Sequence, residues 1–309
     1  MSTITGMQHR EVANLHLNTS PIHFKGVLVA TDLSEQAMRA LRIAAQLSKQ
    51  FRSRLHILHA ISPQVYVPNG VGLTPMLQEV DVEYAEAQLH KFVGKVPEAR
   101  TVRHEEIVLC EEVINAISTT VETKGIDLVV MGSHGRGGLG KCVLGSSAES
   151  AIRHLHCPVL VAGPNCAEHH GSLKSIVLAT TLPAGSLRAA QYAMSIAQAS
   201  GAAVTLLHVL PKDTSHQKDL IEREKEEARK LLRQLIPMDP LARKHVRFEV
   251  AAGDRAEQIV RIATACKAGL IVMGVHEDSV LADHAPWATL SEVIRAAHCP
   301  VLAVRPHLV

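Results

Sequence analysis

Four apolar runs in the first half of this chain recur in the second half, in the same order and at two nearly equal offsets. Gly26-Val27-Leu28-Val29-Ala30-Thr31 returns as Ser175-Ile176-Val177-Leu178-Ala179-Thr180, and Ile57-Leu58-His59-Ala60 returns as Leu206-Leu207-His208-Val209, both 149 positions on (57 to 206). Val129-Val130-Met131-Gly132 returns as Ile271-Val272-Met273-Gly274, and His156-Cys157-Pro158-Val159-Leu160 returns as His298-Cys299-Pro300-Val301-Leu302, both 142 positions on (129 to 271). Self-similarity at this spacing means two copies of one folding unit, and 309 residues are enough for two ordinary domains. The offsets differ by seven residues (149 − 142), so the first copy carries extra chain between its second and third strands, most simply in the Pro- and Gly-rich stretch 62–75.

The runs are apolar without alternation, as a parallel strand buried on both faces requires. Between them lie stretches of helical period: Ala37, Leu41, Ala44 and Leu47 share one face, and Val113, Ile114, Ile117 and Val121 share another. Strand and helix in alternation predict an α/β fold with a parallel sheet in each half. Residues 1–24 read as a flexible leader, 25–163 as a first domain, 164–173 as a linker and 174–309 as a second domain.

Composition bounds the partners. Lys and Arg number 32 against 30 Asp and Glu, which gives no strong field and argues against a dedicated nucleic-acid binder. The polar leader contains no h-region, and no run approaches a membrane span. The six cysteines (110, 142, 157, 166, 266 and 299) form no C-x-x-C pair and read as reduced thiols of a cytoplasmic protein. His154-Leu155-His156-Cys157 invites a zinc reading, but no second cluster is spaced to close a four-ligand set, and the repeat keeps only His298-Cys299. No metal site is assigned.

The chemistry concentrates after the third of these runs. Asp127-Leu128-Val129-Val130-Met131 leads into Gly132-Ser133-His134-Gly135-Arg136, and the stretch closes with Gly145-Ser146-Ser147 before a helical pattern with Ala148, Ala151, Ile152 and Leu155 on one face. Strand, glycine loop, helix start is a layout that offers bare N–H groups and a helix N-terminus to an anion. Glycine permits close approach of backbone to a phosphate. Ser146 reads as an N-cap whose hydroxyl can serve a phosphate equally well, and Arg136 is placed to neutralise one. Two better-known motifs fail here. Gly135 to Lys141 reads G-x-x-x-x-G-K, but Cys142 stands where a P-loop needs a Ser or Thr hydroxyl. Gly135, Gly137 and Gly140 spell G-x-G-x-x-G, but the loop does not follow the first strand, and no acidic residue stands about twenty positions on to hold a ribose. His59 and His208, each ending a second strand, read as framework. The second copy is not equivalent at this site: Gly135 becomes Glu277, Gly145 becomes Trp287, Ser146 becomes Ala288 and Asp32 becomes Thr181.

Both halves resemble the universal stress protein domain, over roughly residues 25–163 and 174–306. Nucleotide-binding members of that family carry G-x2-G-x9-G-[ST], which Gly132, Gly135, Gly145 and Ser146 match in full, and an Asp after the first strand, matched by Asp32. The resemblance implies two tandem doubly wound five-stranded parallel sheets in the order 3-2-1-4-5. It also implies an adenine-nucleotide site: Asp32 on the ribose, Ala30 and Ala60 beside the base, Met131, Gly132, His134 and Gly135 around sugar and phosphates, and Gly145, Ser146 and Ser147 on the phosphates. One departure is Glu111, which stands after the third strand where many members have Gly; the second half has Gly253 there.

The resulting expectation is a cytoplasmic stress-response protein that binds ATP, with or without Mg2+, in its N-terminal domain, the C-terminal domain being structural or regulatory. An ATPase reading finds no carboxylate pair placed for magnesium and no base beside a nucleophile, so it asks for slow hydrolysis at most. A nucleotide-free interaction scaffold is the other alternative. In the implied strand order the last strand of each sheet is an edge, and an apolar edge needs a partner; pairing of domains through these strands, within one chain or in a homodimer, is expected.

Overall fold

The computed structural model describes residues 22–61, 79–133, 144–166, 173–181, 186–211, 218–234, 245–275 and 285–306. The chain divides into one unit of residues 24–164 and a second of 165–309, to which Ile22 and His23 also belong. In the first unit the strands are β1 (Gly26–Thr31), β2 (Arg54–Ala60), β3 (His104–Leu109), β4 (Leu128–Gly132) and β5 (Val159–Ala162). All pairs are parallel: β1 lies between β2 and β4, β3 pairs with β2, and β5 pairs with β4. The order is therefore 3-2-1-4-5, with the switch between β1 and β4. Val27, Leu28, Val29, Val129 and Val130 are fully buried, as strands covered by helices on both faces must be.

The helices are α1 (Glu35–Phe51), α2 (Glu79–Val93), α3 (Val113–Lys124) and α4 (Ser146–His154), with a 3-10 turn at Pro97–Thr101. Ser34 starts α1 by accepting the Ala37 N–H at 3.2 Å, and Arg52 ends it in the left-handed conformation. The face expected from the helical period is the one that packs: Ala37, Leu41, Ala44 and Leu47 are buried together with Ala40 and Ala45. A buried leucine of this kind contributes about 1.5–3 kcal/mol through desolvation. On α3 the packed face is Ala116, Ile117 and Thr120, while Val113, Ile114 and Val121 stay half-exposed. The reason for Val113 is that the start of α3 faces an open cleft.

The second unit repeats this plan with β6 (Ser175–Ala179), α5 (Ser186–Ser200), β7 (Ala203–Leu210), α6 (Lys218–Gln234), β8 (Val246–Ala252), α7 (Arg255–Ala265), β9 (Leu270–Gly274), α8 (Ala285–Ala296) and β10 (Val301–Val304). Here β6 lies between β7 and β9, β8 pairs with β7, and β10 pairs with β9. Small devices recur as well. Arg39 on α1 donates to the Pro164 carbonyl at 3.0 Å, and Arg188 on α5 donates to the Arg305 carbonyl at 2.9 Å. In each unit a guanidinium thus ties the first helix to the chain leaving the last strand.

The leader and linker boundaries shift by a residue or two. Phe24, read with the leader, is buried, its ring 5.1 Å edge-on from Phe51, and its carbonyl accepts the Ser53 hydroxyl. Asn165, read as linker, donates from Nδ2 to the Arg295 carbonyl at 3.0 Å, and Cys166 is buried. Aromatic burial and a side-chain bond to a helix end hold these residues where composition alone suggests loose chain. No helix among the described residues is long and apolar enough to cross a membrane.

Candidate functional site

At the end of β1 the chain makes a tight turn. The Thr31 hydroxyl accepts the Leu33 N–H at 2.9 Å, the Asp32 carboxylate accepts the Ser34 N–H at 3.0 Å, and Leu33 takes a positive φ of 65°. Asp32 is therefore half-buried at the C-terminal edge of the sheet. Capping of α1 falls to Ser34 and not to Asp32, which leaves the carboxylate to shape the turn.

At the end of β4 the Ser133 N–H donates to the Ala162 carbonyl at 2.9 Å, and the Ser133 carbonyl accepts the Gly145 N–H at 2.7 Å. Gly145 is the N-cap of α4, at φ −58° and ψ 139°, and its carbonyl accepts the Glu149 N–H at 2.9 Å. Ser146 is consequently the first helical residue and not the cap expected from sequence. No side chain caps α4, so its first-turn N–H groups remain available at the positive end of the helix.

These two corners open on one cleft of about 380 Å³. Ala30, Asp32, Ala60, Met131, Gly132, Gly145, Ser146 and Ser147 all line it, gathered from β1, β2, β4 and α4. The other expected site residues, His134, Gly135 and Arg136, lie outside the described residues, as does Lys141. The structure adds walls that sequence reading did not place at the site: Thr31, Leu58, Ser133, Ala148, and Val113 and Ile117 from the start of α3. His59, read as framework, lines the cleft too. Its Nδ1 lies 2.8 Å from the Thr31 carbonyl. The described lining carries one carboxylate, Asp32, and no Lys or Arg.

The second unit differs at the matching positions. Thr181 and Ala288 are exposed and Trp287 is half-buried; Glu277 lies outside the described residues. His208 keeps the framework bond, Nδ1 to the Thr180 carbonyl at 2.8 Å. Stepping by 142, Val113 becomes Arg255 (113 + 142), and both open their helices. Burial holds the His208 imidazole below its ordinary pKa against the raising effect of the Thr180 bond, and the Arg255 charge adds to the lowering. A cleft of about 380 Å³ in this unit lies elsewhere, at the ends of β7 and β8, among Leu210, Ile221, Gly253 and Asp254. In the stretch that suggested zinc, His154 places Nδ1 2.8 Å from the Ser150 carbonyl of its own helix.

A doubly wound parallel sheet, with a cleft at its switch point and an uncapped helix start on the cleft's rim, defines an open α/β protein, here in tandem. The model of the universal stress protein family matches residues 23–163 and 172–305, and the chain belongs to that family. A universal stress protein of Methanocaldococcus jannaschii is 33% identical over 140 residues, 45% of this chain and 81% of the relative. A universal stress protein of Mycolicibacterium smegmatis is 27% identical over 293 residues, covering 91% of this chain and 97% of its own. Among solved structures, a universal stress protein from Archaeoglobus fulgidus shares the fold at TM-score 0.63 and 18% identity, over 91% of this chain and 98% of its own.

Proposed function

We propose that the first unit binds an adenine nucleotide, ATP in the simplest case, and that the ligand state of this unit is what the protein reports in a stress response, the second unit being structural or regulatory. The observation that carries this reading is the Gly145 N–H bond to the Ser133 carbonyl, which sets the uncapped start of α4 on the same cleft as Asp32. The two rims have opposite chemistry. The α4 start offers N–H groups and a positive dipole end to phosphate oxygens. Asp32 offers only acceptors, so it repels phosphate and suits the hydroxyl donors of a ribose. Ala30 and Ala60 add small apolar side chains to the cleft lining, which suits the face of a base.

Calorimetry of ATP against the full chain tests this, with Asp32→Ala and Gly145→Trp as variants. One site per chain is expected, with loss of binding in Gly145→Trp and at least tenfold weakening in Asp32→Ala. Two equivalent sites, or unchanged affinity in both variants, overturns it. A steady-state phosphate-release assay on the same protein reports whether the bound nucleotide is hydrolysed.

A further inference from the structure

We infer that His59 determines which base the cleft accepts, by presenting its Nε2 as an acceptor to an exocyclic amino group; this rests on the nucleotide reading above. The Nδ1 of His59 lies 2.8 Å from the Thr31 carbonyl. A carbonyl only accepts, so Nδ1 carries a proton, and in the tautomer this selects Nε2 is the nitrogen with the lone pair. Among the described residues His59 makes no other hydrogen bond, and the residue lines the cleft beside Leu58, Ala60, Val113 and Ile117. Those four side chains are aliphatic. Nε2 is thus the acceptor of a ring held from its other nitrogen, on a residue whose neighbours in the cleft lining include these four aliphatic side chains. A base edge that brings an N–H there gains a hydrogen bond, whereas one that brings a carbonyl oxygen sets two acceptors against each other and leaves both unpaired.

The repeat supplies the contrast. His208 is held by the same 2.8 Å bond to a β-strand carbonyl, so the bond itself is framework and is needed in both units. What differs is the helix start opposite: Val113 in the first unit, Arg255 in the second, where the guanidinium charge acts on the imidazole. In the first unit the residue at that helix start is aliphatic and lines the cleft together with His59.

The test compares ATP with ITP, which has an oxo group at the same ring carbon, on the full chain. Wild type is expected to prefer ATP by about tenfold, or ~1.4 kcal/mol. His59→Asn keeps an amide donor where Nδ1 stands, and so keeps the Thr31 bond, but has no atom at the Nε2 position. Its preference should fall close to one through weaker ATP binding, with an unfolding midpoint near wild type. His59→Gln returns an acceptor to that position and should restore part of the preference, and His208→Asn should leave it unchanged. An undiminished preference in His59→Asn, or an equal loss of both ligands in His59→Leu, makes the residue framework alone and overturns the inference while the nucleotide site stands. Absence of binding by either ligand to wild type removes the site and this inference together.

Discussion

The amide of Gly145 and the carbonyl of Ser133 meet at 2.7 Å, joining the end of β4 to the start of α4 through main-chain atoms alone. Because Gly145 sits at φ −58°, its backbone conformation is open to any residue. The turn itself therefore does not demand glycine at 145, and on the proposed nucleotide reading the demand comes from room for a phosphate in the cleft. Gly145→Trp, which copies Trp287 of the second unit, should abolish ATP binding and shift the thermal midpoint by no more than a few degrees. Titration calorimetry and circular dichroism on one preparation check both halves of that statement, and loss of cooperative unfolding would contradict it.

Ser34 holds the first turn of α1 by one hydrogen bond to Ala37. Ser34→Ala should cost about 1 kcal/mol of stability. Urea unfolding should show a lower midpoint at unchanged slope, and Ser34→Asp should recover most of it.

Acid should weaken the protein in a window that His56 sets. This residue is 3% exposed, with Nδ1 3.3 Å from the Glu105 carboxylate, which also holds Lys124 at 2.6 Å and Arg54 at 3.1 Å. Burial keeps the imidazole below its ordinary 6.5, outweighing Glu105, which raises it, while Arg54 and Lys124 add to the lowering. The unfolded chain therefore takes up the proton first. The contribution is complete above pH 6.5 and is lost as pH falls below that value toward the lowered folded pKa. Glu105 is itself held below 4.5, chiefly by its bond to Lys124, so its contribution persists above 4.5 and is lost at more acid pH. His56→Gln should flatten the fall in unfolding free energy just below pH 6.5 and leave the deeper acid limb in place. An unchanged slope there would mean that the ring is not kept neutral by its surroundings.

Gly253 sits at φ +133°, a conformation almost confined to glycine, and an added Cβ would meet the Gln258 amide at 3.4 Å. Gly253→Ala should cost about 1–3 kcal/mol. Gly125, at φ +63° with nothing within 4 Å of its Cβ position, ends α3 as a left-handed cap. Gly125→Ala should cost about 1 kcal/mol and Gly125→Asn less, since Asn tolerates that region. Thermal unfolding of the three variants, ranked in that order, is the check.

What could be read from sequence followed from local pattern. The unbroken apolar runs became β1, β4, β6 and β9 because strands covered on both faces have no polar side to show, and the face of α1 emerged because it keeps a single period. Eight of the expected site residues share the cleft because each stands at the C-terminal end of a parallel strand or at the start of the helix after the loop. Ser146 was misplaced by one position, since a hydroxyl residue is the commoner cap and only the carbonyl bond to Glu149 reveals Gly145 in that role. Val113 and Ile117 were assigned to the core because their period is that of a buried face; nothing local says that the sheet's switch point leaves space beside them. The His56–Glu105 pair was invisible for a similar reason, as it depends on the register of β2 against β3.

Arg39 and Arg188 donate to the carbonyls of residues 164 and 305. A carbonyl belongs to the main chain and survives replacement of the residue that carries it. Each of these ties can therefore be lost by mutation at one codon only, where a bond between two side chains would expose two. Replacing the side chain at 164 or 305 leaves this acceptor in place, and the mutational risk of the contact rests on the arginine codon.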